Sequence, residues 1–316
     1  MNFRTQIPIP KNQNPIDYNS KIVSLGSCFA ENMGAKFEYF KFQNKTNPFG
    51  IIFNPVSIEK IIDRVVSEKP FTEEDVFFQN EQWHCFEVHS DVSDSSKEKL
   101  LQNLNQILVE TKKQLQEATH LIITYGTSWV YRNIERNTIV ANCHKVPQKQ
   151  FAKELLLVET IENSIQNTIE LIKKINPDCS FIFTISPVRH LKDGFVENQV
   201  SKAHLFSALH GTFDFRLSTF VYFPSYEIMM DELRDYRFYG EDMLHPSQTA
   251  IDYIWERFSE SCIAENSFQT MKEVAEIQKG LHHRSFNPDS EQHLKFLSKL
   301  NQKIAVLAEK FPHIKF

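Results

Sequence analysis

Glycine is scarce: the 316-residue chain holds 8, where average usage would supply about 22, so each one present calls for a backbone reason. The five cysteines, Cys28, Cys85, Cys143, Cys179 and Cys262, are odd in number, far apart and free of any CxxC pair. That pattern argues against a disulfide framework or a zinc knuckle. There is no HExxH, and the adjacent pairs His84-Cys85 and Cys143-His144 would point to opposite faces of a strand. No metal site is therefore expected. Charge of one sign is also missing. Lys+Arg number 35 and Asp+Glu 40, for a net −5, and both signs mix within the same segments, so no basic stripe is available for a phosphate backbone and no nucleic-acid partner is expected. No stretch approaches 18 uninterrupted apolar residues, and the N-terminus has no apolar run after a basic start. Neither a membrane span nor an export signal is expected, which makes a reducing cytoplasm the expected compartment.

What the chain does have is ordinary globular composition, 41% hydrophobic and 24% charged, with 27 phenylalanines that suit a large aromatic core. Short apolar runs alternate with amphipathic helical patterns, as crossover βαβ units do. Lys21 to Leu25 reads as a strand, Gly26-Ser27-Cys28 as a tight turn, and Phe29, Met33, Phe37 and Phe40 as the stripe of a helix. A turn-rich segment, NKTNPFGIIFNP, follows, and Phe71 to Ser96 reads as an insertion with a candidate hairpin. Leu100, Leu104, Ile107, Leu108 and Leu115 mark a helix leading to the strand HLIITY, which stops at Gly126. Val158 to Ile172 lines a helix that ends near Asn176-Pro177, and the strand CSFIFTISPV comes next. Leu217 to Pro224 is a further strand candidate, and Pro246 is expected to open a helix carrying Ile251, Ile254, Trp255 and Phe258. These elements predict an α/β domain over residues 1–262. Residues 263–316 read as a helical extension in which Leu294, Leu297, Asn301, Ile304, Leu307 and Phe311 fall near heptad spacing, a candidate contact for a homo-oligomer.

Ligands of a parallel α/β sheet bind at the carboxyl ends of its strands. That rule selects Gly26-Ser27-Cys28, Asn47 to Gly50, Gly126-Thr127-Ser128 and Ser186 to His190. Glycines there allow backbone N–H groups to approach a ligand, as an oxyanion hole requires, although plain turn chemistry explains them too. In Gly240 to Pro246, Asp242 and His245 stand three apart, so the carboxylate can orient the imidazole. His245 could then take a proton from a hydroxyl or thiol at Ser27-Cys28, completing a nucleophile, base and orienter set.

The blocks LGSCFAENMG, NPFGIIFNP, YGTSWVYR, NCHKVP, SPVRHLKDG and DMLHPS follow one another from Leu25 to Ser247, about 70% of the chain. In this order they resemble the GSCFA domain family, whose members resemble the SGNH (GDSL-like) hydrolases. The resemblance implies a three-layer α/β/α, flavodoxin-like parallel sheet and a reaction on ester-linked acyl groups, by hydrolysis or transfer, with no cofactor. It matches Gly26-Ser27-Cys28 to the Gly-Asp-Ser nucleophile turn, Gly50 to the oxyanion glycine, and Asp242 and His245 to the acid and base. By register the nucleophile is Cys28, and by residue type it is Ser27; the strand-to-helix turn favours Cys28. A thiol there, at a helix N-terminus near a histidine, is expected to have its pKa lowered. Ser128 stands where SGNH enzymes have an oxyanion asparagine. The resemblance also flags Asn142 to Lys145, Arg189 and His190. Arg189 could grip a carboxylate or phosphate or else hold a loop by an ion pair, and His144 could line the site or cap local backbone. Tyr125, Trp129 and Tyr131 could wall a cleft for a sugar or fill the core. A small-molecule or carbohydrate ester is the substrate expected by analogy. The alternative is a catalytically degenerate module that binds a carbohydrate or a partner.

Overall fold

The first apolar run enters the sheet as β1 (Lys21–Gly26), and α1 (Cys28–Tyr39) follows after a single residue. This computed structural model describes residues 5–212, 220–284 and 286–316. The chain returns through β2 (Gln43–Thr46) and α2 (Pro55–Val66) to a hairpin of β3 (Val76–Gln79) and β4 (Gln82–Cys85). Asn80 and Glu81 form its two-residue turn with φ of 48° and 61°, the twist that matches hairpin strands. Next come α3 (Lys97–Glu117) and β5 (His120–Tyr125), then β6 (Trp129–Asn133), β7 (Thr138–Val140) and β8 (Phe151–Leu155), which form a small antiparallel sheet in the order β7-β6-β8. After α4 (Val158–Ile175), β9 (Ser180–Ile185) and α5 (Phe195–Thr212), the last strand is β10 (Phe220–Phe223); residues 217–219 of the expected strand lie outside the described residues. A short helix, α6 (Ser225–Glu227), runs into a π-helical turn, and α7 (Gln248–Cys262), α8 (Phe268–His282) and α9 (Glu291–Lys310) complete the chain.

The central sheet is wholly parallel, in the order β10-β9-β5-β1-β2. Counted along these five strands alone, that is the 2-1-3-4-5 order of flavodoxin-like folds, whose crevice opens where β1 and its next neighbour diverge in connection. Strands β5 and β9 are buried at every position, as sheets covered on both faces must be. Their side chains alternate between two cores. Leu121, Ile123, Tyr125, Phe181, Phe183 and Ile185 meet the layer of α2, α3, α4 and α5. Ile122, Ile182 and Phe223 meet the layer of α1 and α7, with Phe37, Trp255 and Phe258. The architecture is thus a three-layer α/β/α sandwich, as expected. The C-terminal helices are packed on it, because Met271 and Ile314 are buried in the second core beside Tyr18 and Phe42.

Several local expectations are corrected. Pro246 does not open α7: Ser247 caps it, accepting from the Ala250 amide, and the helix begins at Gln248. The apolar seam of α9 uses Leu300, Ile304 and Leu307 against Val274 and Ile277 of α8, leaving Leu294 56% exposed. Helices α2 and α5, strand β2 and the antiparallel sheet go beyond the expected elements. No helix among the described residues is long and apolar enough to cross a membrane.

Candidate functional site at the carboxyl ends of the strands

The turn after β1 is built from Gly26 outward. Its φ is +138°, and a Cβ there would lie 2.2 Å from the Thr124 carbonyl oxygen, so only glycine lets β1 approach β5 this closely. Ser27 is 1% exposed and is the N-cap of α1, its hydroxyl accepting from the Phe29 amide at 3.3 Å. Cys28 is the first helical residue and half-buried. Its thiol does not follow the expected lowering. Burial first, then Glu31 one turn further along α1, pushes it up; the helix-end amides and the charge of Lys202 pull the other way without prevailing.

Asp242 and His245 form the pair that their spacing predicts. Oδ1 of Asp242 accepts from the amides of Leu244 and His245 at 2.9 and 3.0 Å, and Oδ2 meets His245 Nδ1 at 2.5 Å. The His245 amide above all, then the Leu244 amide and the imidazole, hold the carboxyl down at about 2. With Nδ1–H donated to a carboxylate, the Nε2 lone pair is the one left to accept a proton. The turn is fastened to the sheet by Arg189, whose amide donates to the Leu244 carbonyl at 3.3 Å and whose Nη2 donates to that of Met243. Its guanidinium carbon lies 4.6 Å from the ring centre of Tyr239. Among the described residues no carboxylate pairs with Arg189, so it holds the loop by carbonyls and an aromatic face rather than by an ion pair. Cys28 and His245 share no hydrogen bond among the described residues.

Other expected site residues are hydrogen-bonded within and between these loops. Asn47 accepts the Gly26 amide at 2.8 Å and donates toward Glu31 at 3.4 Å. The Gly50 amide donates to the Asn47 carbonyl at 2.8 Å, and that of Gly126 to the Phe53 carbonyl at 2.8 Å. Thr127 shares a bond with the Ser201 hydroxyl at 2.7 Å, while Ser128, fully buried, donates to the Ser201 carbonyl at 3.0 Å. His144 sits in the small core with Phe77 and Phe86, Nε2 at 2.7 Å from the Cys85 carbonyl, and burial lowers it to about 4. Tyr125 is core; Trp129, Tyr131 and Asn142 instead line a cleft of 230 Å³ together with Phe53, Cys143 and His190.

His190 joins that cleft to the crevice. Its ring stacks on Phe53 with centres 5.8 Å apart, a Cβ on Gly126 would come within 3.2 Å of its Nε2, and Nε2 itself is buried without a partner. Burial, then Lys202 and His245, lowers it to about 3. Lys202 is the residue that periodicity and motifs missed. It is 1% exposed, and its Nζ donates to the carbonyls of Gly126 and Ser186 at 2.7 and 2.8 Å, at the ends of β5 and β9. Burial lowers its ammonium to about 7. The usable signal was the buried polar row Asn198, Ser201 and Lys202 at helical spacing on α5. No cluster of three or more metal-ligating side chains occurs among the described residues.

Among curated proteins no match to the chain was found. Compared with known families, residues 274–316 match the GSCFA domain protein, C-terminal domain. Residues 21–258 match the GSCFA family, a span that includes β1, the Cys28 turn, Lys202 and the Asp242–His245 pair, and on that match the chain belongs to the GSCFA family.

Proposed function

We propose that this protein is an acyl-ester hydrolase or acyltransferase with Cys28 as nucleophile, His245 as general acid and base, and Asp242 as its orienter. The observation that carries the reading is the 2.5 Å Asp242–His245 contact with Nε2 left open. Cys28 lies on the same carboxyl side of the sheet, at the switch point between β1 and β5. Cys28 is preferred to Ser27 because the serine hydroxyl is buried as a helix cap while the thiol at the first helical position is half-buried. In the reaction His245 Nε2 takes the Cys28 proton as the sulfur attacks an acyl carbonyl, and the tetrahedral oxyanion is met by the Cys28 amide, which the first turn of α1 leaves unbonded within the helix. The C–O bond breaks to give a thioester, and His245 protonates the departing alkoxide. Water or a second alcohol, deprotonated by His245, then resolves the thioester and restores the thiol. A small-molecule or carbohydrate ester is the proposed substrate, with Trp129 and Tyr131 of the cleft offering apolar faces to a ring. The turn after β1 and the strand order support kinship with SGNH hydrolases. The five free cysteines suit a cytoplasmic setting, and the exposed Leu294, Phe296 and Leu297 of α9 suit self-association.

One set of observations favours the binding-module alternative. The Gly50 and Gly126 amides and the Ser128 hydroxyl, all expected to face an oxyanion, are engaged internally, and the Cys28 thiol is raised. The deciding experiment mixes the full chain with nitrophenyl acetate, quenches rapidly in acid and maps the adduct by peptide mass. A single acetyl group on Cys28, lost in His245→Ala and reduced about a hundredfold or more in Asp242→Asn, is expected. No His245-dependent adduct with short or long acyl esters would overturn the enzyme reading in favour of the module.

A further inference from the structure

The 230 Å³ cleft lies between the small antiparallel sheet, which supplies Trp129 and Tyr131, and the loop after β9, which supplies His190 and Asp193. Its aromatic walls are held in place. The Trp129 indole N–H donates to the Glu197 carbonyl at 3.1 Å, and the Lys153 ammonium stands 4.5 Å from the centre of the same ring. Phe53 stacks on His190 with centres 5.8 Å apart. Rings already fixed lose little freedom when a ligand packs against them. The polar groups of the lining divide into spent and unspent. Thr127 bonds Ser201, and Asn54 bonds Ser57. Asn142 gives Oδ1 to the His144 amide at 2.8 Å, and no bond of its Nδ2 occurs among the described residues. His190 Nε2 is buried and without a partner, which costs free energy until a partner arrives. Charge is answered within the protein: Asp193 pairs with Lys153 at 2.7 Å, and Lys192 is exposed.

These features select an occupant. In a neutral imidazole Nε2 is a donor in one tautomer and an acceptor in the other, and a hydroxyl satisfies either, whereas a carbonyl or an N–H satisfies one alone. Asn142 Nδ2 calls for an acceptor, which a second hydroxyl provides. Aromatic faces with no unpaired charge between them suit the C–H face of a neutral saturated ring. The volume is below the ~300–1,000 Å³ of pockets that take whole drug-sized ligands, so the cleft holds one ring. We infer that it is a subsite for a single neutral pyranose, packed against Trp129 and Tyr131, with one hydroxyl on His190 Nε2 and another on Asn142 Nδ2. The inference deepens the proposed function and rests on it for the ester, of which this ring is the alcohol half. His190 directly follows Arg189, whose amide donates to the carbonyl of Leu244, the residue before His245, at 3.3 Å. The subsite thus adjoins the turn that carries the general acid and base, and His190 determines specificity.

The test is equilibrium binding of methyl glucoside, galactoside and mannoside to the full chain, read by ligand-observed NMR. It is paired with the rate at which iodoacetamide alkylates Cys143, a half-buried residue of the lining, counted by peptide mapping. At least one pyranoside should bind in the millimolar range and slow Cys143 alkylation in proportion to its occupancy. His190→Phe, which keeps a ring against Phe53, and Trp129→Leu should each weaken that binding about tenfold. One monodeoxy form of the bound glycoside should lose about tenfold against wild type and nothing further against His190→Phe, a coupling that a merely structural histidine does not show. Four outcomes overturn the inference: no pyranoside binds, Cys143 stays unprotected, benzyl alcohol binds more tightly than every pyranoside, or the deoxy series loses as much in His190→Phe as in wild type. Should a variant fail to fold, Cys143 protection in wild type still decides. Because the pyranosides carry no ester, the two readings separate. A protected cleft without any acetyl adduct would sink the esterase reading and leave the subsite standing, and an adduct without pyranoside binding would do the reverse.

Discussion

Gly26 carries the constraint on which the site depends. The positive φ and the 2.2 Å approach to the Thr124 carbonyl mean that any side chain must push β1 away from β5. Gly26→Ala is expected to lower stability by about 2 kcal/mol or more in urea unfolding; a change below about 0.5 kcal/mol would show that the turn relaxes freely. That glycine was legible, since a scarce residue at the end of an apolar run has few other uses. The choice between Ser27 and Cys28 was not, because it rests on which side chain turns back to cap the Phe29 amide. The direction of the Cys28 thiol pKa was not legible either: the helix terminus is a local feature, but the burial that outweighs it comes from neighbours distant in sequence.

Elements show the same division. Helix α2 carries Ile58, Ile61, Ile62 and Val65 on one face and is entered through Asn54, 2% exposed, whose Oδ1 accepts the Ser57 amide at 2.9 Å and whose Nδ2 donates to the Ser57 hydroxyl at 3.0 Å. Its cap was hidden because the preceding apolar residues merge with its stripe. Asn54→Ala removes the cap and leaves a buried amide unpaired, so a loss of about 1–2 kcal/mol is expected from chemical denaturation; no measurable loss would mean that water replaces the side chain. Helix α5 was harder, since its buried face passes from Asn198, Ser201 and Lys202 to Leu205 and Leu209. A reading by apolar periodicity sees only the second half. Strand β2, QNKT, is a partly exposed edge, so neither alternation nor a continuous apolar run marks it.

Across the whole molecule, buried bases make stability depend on pH. His144, 3% exposed and lowered to about 4, stays neutral in the folded chain while its unfolded counterpart takes up a proton below about 6.5. The unfolded state then binds more protons, so stability falls as pH drops from about 6.5 toward 4. The slope from this histidine approaches about 1.4 kcal/mol per pH unit within that window. Urea midpoints measured against pH should show the decline, and His144→Gln should flatten part of it; parallel curves for the two proteins would remove His144 from the account. By itself the sequence determined the alternation of buried parallel strands and covering helices, because strands enclosed on both faces must be apolar throughout. It also determined the Asp242–His245 pair, because three residues of turn suffice to bring the two together. Only the tertiary structure decided which hydroxyls and amides brace the loops, and that Lys202 lies under the ends of β5 and β9. Ser128 finds Ser201 73 residues away, and Lys202 finds Gly126 76 residues away. Such partners are chosen by the packing of layers, which no local periodicity records.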